Sequence, residues 1–167
     1  MFSQHLSDLI GPIDQSVAIV IQSRTLILAD RMDDWKLAND VQAASPSVQT
    51  STASNLLSVG STRRPVDLRH SVLLKDLKIY QATEAELREL FDAPHSLTRA
   101  WEQFRMKFQK ATHLLSFSNV GFNHPRDQAA FVLSTACGGL CGSGQLVLMK
   151  RGKTGWKTQE STNLWRS

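Results

Sequence analysis

The first quarter of the chain alternates between helical and strand-like spacing of its apolar residues. In residues 2–10 the apolar side chains recur three and four positions apart, which predicts an amphipathic helix. Residues 16–21 form a short run rich in β-branched side chains and predict a strand. Residues 25–28 are a similar run, and we expect them to extend that strand or to pair with it.

A pair of aspartates marks the next predicted helix. Asp33 or Asp34 can cap a helix whose apolar positions continue to Val41. The Ser- and Thr-rich residues 45–62 follow, and two interpretations stay open for them. Pro46 and the apolar spacing behind it favour a helix, whereas the composition alone is also typical of a linker.

The middle of the chain predicts one strand and two helices. Residues 71–80 are apolar and alternate at their end, which favours a strand. Thr83, followed three positions later by Glu86, forms a capping box and predicts the start of a helix. The next helix is predicted over residues 96–110, with one apolar face made of Leu97, Trp101, Phe104 and Phe108.

From His113 onward the hydrophobic period is two, which is typical of strands. The predicted strands are residues 113–122, 128–136, 144–151 and 156–165. Short turns join them, so the fold class is α+β, with helices packed on a C-terminal four-stranded antiparallel meander sheet. We expect one domain over residues 1–167, helix-rich in 1–110 and sheet-forming in 113–166.

The composition is typical of a globular chain, but the charge is unevenly distributed. The 167 residues are 41% apolar and 20% charged, and no apolar run is long enough to predict a membrane span. Residues 1–98 carry nine basic and twelve acidic side chains, whereas residues 99–167 carry ten and three. The net charge of +4 therefore divides into −3 and +7, and the second part can present a positive face.

Cys137 and Cys141 lie in the glycine-rich join between two predicted strands. Across such a bend the two cysteines can reach disulfide distance, which would indicate an oxidising compartment. Two reduced thiols are an alternative interpretation. A third is a catalytic cysteine activated by His113 or His124, with glycine N–H groups as an oxyanion site. Phosphate-binding and zinc motifs are absent, so we expect no metal and no other cofactor.

Two candidate binding elements lie in the positive part of the chain. The first is the last predicted hairpin, with Lys150, Arg151, Lys153, Lys157 and Arg166 around Trp156 and Trp165. Such charges on one face could bind an anionic surface, although lysines there also protect an edge strand from pairing. The second candidate is the glycine loop, made of Gly138, Gly139, Gly142, Ser143 and Gly144.

The order of motifs over about residues 70–167 resembles that of a family of uncharacterised bacterial proteins. The matching segments are Trp101-Glu-Gln-Phe104, Leu115-Ser-Phe-Ser-Asn-Val-Gly-Phe-Asn123, Gln128-Ala-Ala, Cys137-Gly-Gly-Leu-Cys-Gly-Ser-Gly144, Gly155-Trp-Lys157 and Leu164-Trp-Arg-Ser167. Asn119 stands where that family usually has Arg, and Arg166 where it usually has Ile. Many members are exported or lipid-anchored, so the resemblance implies export. It brings no established activity and transfers no catalytic residue.

These patterns predict a non-enzymatic binding or interaction domain of the bacterial cell envelope or exterior, periplasmic or extracellular. Its partner would be a protein or an anionic surface. Two other hypotheses stay open: a Cys-dependent hydrolase or transferase, and a cytoplasmic protein that binds nucleic acid through the +7 part. Residues 1–11 lack the pattern of a secretory signal, so the chain is either cytoplasmic or the mature form of an exported protein.

Overall fold

A computed structural model describes residues 18–26, 41–61, 65–68, 78–92 and 96–167. They form an α+β fold, as predicted, around one seven-stranded sheet. The described strands are β1 (Ala18–Gln22), β2 (Lys78–Ala82), β3 (Ala111–Phe117), β4 (Gly121–Phe122), β5 (Gln128–Gly138), β6 (Cys141–Gly152) and β7 (Gly155–Arg166). The described helices are α1 (Thr50–Ser61), α2 (Glu84–Phe91) and α3 (Leu97–Lys107).

The sheet is mixed, with strand order β2-β1-β3-β5-β6-β7 and with β4 paired to β5. β1 runs parallel to β2 and β3, whereas the ladders β3–β5, β5–β6 and β6–β7 are antiparallel. The prediction of a four-stranded antiparallel meander is therefore wrong, because the meander is only part of a larger sheet. The sheet extends beyond the meander because β1 pairs with β3, and residues 18–21 of β1 are at most 1% exposed. A strand buried on both faces is typical of a position inside a sheet.

The first half of the chain thus supplies two strands besides helices. The strands β1 and β2 overlap the predicted strands in residues 18–21 and 78–80, whereas residues 16–17 and 71–77 lie outside the described residues. Residues 45–62 contain the helix α1 instead of a linker. The predicted strand at residues 25–28 is reduced, in its described part, to a single bridge from Leu26 to Ser118. The predicted helix at residues 2–10 and residues 33–40 of the next one lie outside the described residues, whereas residues 41–44 are helical.

The two helices before β3 follow their sequence signals closely. The capping box of α2 is confirmed, since Glu86 N–H donates to Thr83 Oγ1 at 3.2 Å and Thr83 N–H donates to Glu86 Oε2 at 2.9 Å. The apolar face of α3 is buried at Trp101, Phe104 and Phe108. Leu97 is the exception, because it lies in the first turn of α3 and is 51% exposed.

Alternation along the strands divides the core between the two faces of the sheet. On one face, α1 covers the start of β5 and the second half of β6, and α2 and α3 cover β1 and the start of β3. The other face is built on a second set of buried side chains, which includes Ile19, Ile21, Leu115, Phe117, Phe131 and Met149. The face that carries the helices also contains the cleft described below.

The predicted strand over residues 113–122 is broken into β3 and β4. The β3–β5 ladder ends at the pair Phe117–Leu133, and pairing resumes at Gly121–Ala130. Between them Ser118 Oγ accepts a hydrogen bond from Val132 N–H at 2.8 Å. A side-chain oxygen here takes the place of a backbone acceptor, so the regular ladder is interrupted.

Candidate functional site

The two cysteines close the hairpin between β5 and β6. Cys137 and Cys141 form a disulfide, with their Cα atoms 5.2 Å apart, and Gly138 pairs with Cys141 in the ladder. This separation lies within the ordinary range for disulfides. A disulfide-bonded sulfur is neither a thiolate nucleophile nor a metal ligand. We call residues 137–144 the cystine hairpin; Leu140 at its turn is 91% exposed.

Two glycines of the cystine hairpin, Gly142 and Gly144, permit the close approach of a neighbouring side chain. Gly142 and Gly144 lie beneath the indole ring of Trp165 on the neighbouring strand. A Cβ atom on Gly144 would be 2.6 Å from Trp165 Cδ1, closer than non-bonded carbons approach. None of the glycines at 138–144 has a positive φ, and Ser143 pairs with Arg166 in the β6–β7 ladder.

The two candidate histidines lie at opposite ends of the sheet. His113 is half-buried near the start of β3, where the next ladder pair joins Leu114 to Ala136, the neighbour of Cys137. Burial lowers the pKa of the His113 ring. His124 is exposed in the turn before β5, and about 30 Å of strand separates this turn from Cys137 at about 3.3 Å per residue. The structure therefore does not bring His124 close to either cysteine.

Basic side chains gather at the end of the sheet where β5 and β7 begin and β6 ends. Lys150 pairs with Lys157, and Arg151 pairs with Trp156. Arg151 N–H also donates to the Asp127 carbonyl at 2.7 Å, which brings the turn before β5 beside the β6–β7 hairpin. We call the exposed set at this end the basic end: Arg126, Lys150, Arg151, Lys153 and Lys157. Arg166 does not belong to it, because it pairs with Ser143 at the opposite end of β7.

Arg126 is the member of the basic end that sequence reasoning missed. Its guanidinium carbon lies 5.8 Å from the centre of the Phe122 ring, within cation–π range. The Phe122 and Trp156 rings meet edge to face with their centres 5.8 Å apart. Both rings are half-buried and pack against the core, so Trp156 supports the basic end and is not a free binding platform. The sequence signal for this placement is the short turn before β5, which must bring Arg126 close to β6, the strand that pairs with β5.

A network of polar side chains around the buried Asn123 fixes this end of the sheet. Asn123 Oδ1 accepts hydrogen bonds from Asp127 N–H at 3.0 Å and Gln128 N–H at 2.9 Å, and its amide donates to the Asp127 carboxylate. Phe122 N–H donates to Asn55 Oδ1 of α1 at 2.8 Å. The turn that carries Arg126 is therefore held by the helix and by the strand behind it.

The candidate binding elements of the sequence thus form two separate places. The cystine hairpin and the basic end lie at the two ends of β6, a strand of twelve residues. At about 3.3 Å per residue, Lys150 lies about 30 Å from Cys141 and about 20 Å from Gly144, the nearest glycine of the cystine hairpin. A single small contact surface cannot include both, and the structure does not bring the glycines to the lysines.

No group of three or more metal-ligating side chains occurs among the described residues. No helix within the described ranges is long and apolar enough to span a membrane. Comparisons of the chain with protein-family models, with curated proteins and with solved structures gave no match.

Proposed function

We propose that the protein is a non-enzymatic binding domain of the cell envelope or exterior that contacts an anionic surface through its basic end. The observation that carries the proposal is the local excess of cations. Two carboxylates lie nearby among the described residues, on Asp127 and Glu160, and both are engaged by other side chains. Asn123 binds Asp127, and Ser45 Oγ donates to Glu160 Oε2 at 2.9 Å.

The shape of the basic end favours a broad anionic surface over a nucleic acid. Its charged groups project from a turn and a hairpin. Stacking of bases requires an aromatic face open to the ligand, whereas Phe122 and Trp156 pack against one another and the core. Lysine and arginine near an anionic membrane contribute about 1 kcal/mol each without such stacking.

The disulfide supports the location and weakens the catalytic alternative. Disulfides persist in oxidising compartments and are rare in the cytosol, so Cys137–Cys141 is compatible with an exported protein. The family resemblance implies export as well. A hydrolase that used either cysteine would need a free thiolate, and this disulfide holds both sulfurs.

The test is sedimentation of the full oxidised chain with phosphatidylglycerol vesicles and with phosphatidylcholine vesicles. The first variant removes three charges from the basic end: Arg126→Gln, Arg151→Gln and Lys153→Gln. The matched control removes three exposed charges at the other end of the sheet: Arg99→Gln, Lys110→Gln and Arg166→Gln. We expect binding to the anionic vesicles only, and loss of binding in the first variant only.

Two results would overturn the proposal. One is equal weakening by the two triple variants, which would show that net charge and not the basic end determines binding. The other is tighter binding of a single-stranded oligonucleotide than of vesicles at the same salt concentration, which would favour the nucleic-acid hypothesis.

A further inference from the structure

A cleft of about 580 Å³ opens on the helical face of the sheet, away from the basic end. Its floor is formed by β1, β3 and β5, and one wall is formed by α2 and α3. Thr25, Leu26 and Pro65 also line it. Clefts of about 300 to 1,000 Å³ are the usual size for small-molecule sites.

The wall of the cleft is apolar and preorganised. Leu87, Phe91 and Trp101 project from the two helices, and Leu114 continues the apolar surface from β3. Trp101 is only 5% exposed, and its ring lies edge to face with Phe91, with centres 5.2 Å apart. On its other side the Phe104 ring centre lies 5.0 Å away. These contacts hold the indole in one position, so ligand binding would cost little conformational entropy at this side chain.

The floor offers hydrogen-bond donors. Ser116 Oγ donates to Gln22 Oε1 at 3.0 Å, which uses the acceptor of the Gln22 amide. The N–H groups of that amide have no acceptor among the residues that the structure describes. Gln22 and Ser116 both line the cleft, so a ligand oxygen can accept from the Gln22 amide.

The charges at the rim decide which head group fits. Arg88 is paired with Glu84, its Nη2 lying 2.5 Å from the carboxylate, and Arg24 lies beside the same two side chains. Two guanidinium groups thus match the carboxylates of Glu84 and Asp92. The rim therefore offers no excess charge to an anionic head group, and a cationic one would not use the donors of Gln22. A neutral oxygen-bearing head suits both features.

We propose that this cleft binds a small neutral amphipathic molecule. Its apolar body lies against Leu87, Phe91, Trp101 and Leu114, and one of its carbonyl or hydroxyl oxygens accepts a hydrogen bond from Gln22. The cleft is separate from the basic end, because none of the residues of the basic end lines the cleft.

The experiment is titration of the full chain with 1-decanoylglycerol below its micellar concentration, followed by backbone amide chemical shifts. We expect saturable shifts at Leu114, Ser116 and Ala136, and weaker binding of decanoate, which has the same alkyl body and a charged head. Gln22→Leu removes the donors and should weaken binding about tenfold, the effect of one hydrogen bond. Gln159→Leu is the matched control on the exposed strand β7.

A second variant keeps the test decisive if Gln22→Leu fails to fold. Ala136→Leu places a larger side chain in the cleft and should abolish the shifts while the spectrum stays that of a folded chain. Absence of saturable binding, binding of decanoate as tight as that of 1-decanoylglycerol, or shifts centred on the exposed Leu140 would each overturn the proposal.

Discussion

Gln128 at the start of β5 caps helix α1 from the sheet, because Gln49 N–H donates to Gln128 Oε1 at 2.8 Å. Thr52 Oγ1 donates to the same oxygen at 2.8 Å, and Gln128 Nε2 donates to the Ser47 carbonyl at 3.0 Å. N–H groups in the first turn of a helix lack partners within the helix. Gln128 supplies such a partner for the Gln49 N–H, and it thereby joins α1 to β5, the strand that begins at the basic end.

Replacement of Gln128 by Leu should destabilise the fold by about 2 to 4 kcal/mol. The side chain is 6% exposed, and its removal leaves a backbone N–H, a hydroxyl and a carbonyl without their buried partner. Urea unfolding followed by circular dichroism measures the change. Gln159→Leu on the exposed strand β7 is the control, with an expected effect within about 0.5 kcal/mol. Equal stability of the two variants would contradict the capping role.

Gly144→Ala should destabilise the protein by about 1 to 3 kcal/mol, because its methyl group would overlap the Trp165 indole. Gly138→Ala is the matched control, since the nearest atom to its new Cβ is Cys141 Cβ at 3.8 Å. In a Trp165→Ala background the cost of Gly144→Ala should largely disappear. Additive costs in this double-mutant cycle would refute the steric explanation.

The disulfide should be present and stabilising in the purified protein. We expect no free thiol in the unfolded, unreduced chain, because Cys137 and Cys141 are bonded to one another. The double variant Cys137→Ser, Cys141→Ser should lose about 2 kcal/mol on the chain-entropy account of so short a loop. Titration of two thiols from protein purified without reductant would contradict the prediction.

Acidification should destabilise the fold through His113. Burial lowers the pKa of its ring below the ordinary value of 6.5, so the unfolded chain binds a proton more readily than the folded chain. The stability that neutral His113 confers is complete above about pH 6.5, falls as the pH drops through the unfolded value, and is lost below the folded value. His113→Asn should flatten the decline of unfolding free energy between about pH 7.5 and pH 5. Parallel curves for the two proteins would contradict this.

Local signals in the sequence were sufficient for the two helices before β3. The capping box at Thr83 and the aromatic spacing of Trp101, Phe104 and Phe108 predicted α2 and α3, because caps and apolar faces act within a few residues. The cystine was one of three interpretations that two cysteines across a turn left open. In each case the partners are close along the chain.

Long-range pairing is what the sequence did not reveal. The parallel ladders of β1 join it to residues about sixty and ninety positions away, and the period of a strand does not say which strand lies beside it. Long-range pairing also determines which residues form the basic end. Arg126 lies there because β5 pairs with β6, whereas Arg166 lies at the opposite end of the sheet because β7 runs away from the basic end. Asn123 and Gln128 are polar residues whose role depends on α1, which is distant in sequence.

The affinity ratio of the two triple variants for phosphatidylglycerol vesicles tests the proposed function most directly. Three charges removed from the basic end should cost about 3 kcal/mol, or about 100-fold in affinity, whereas the same number removed from the opposite end should leave binding within about threefold of the unmodified chain. Equal affinities of the two variants would contradict the proposal that the basic end is the contact surface.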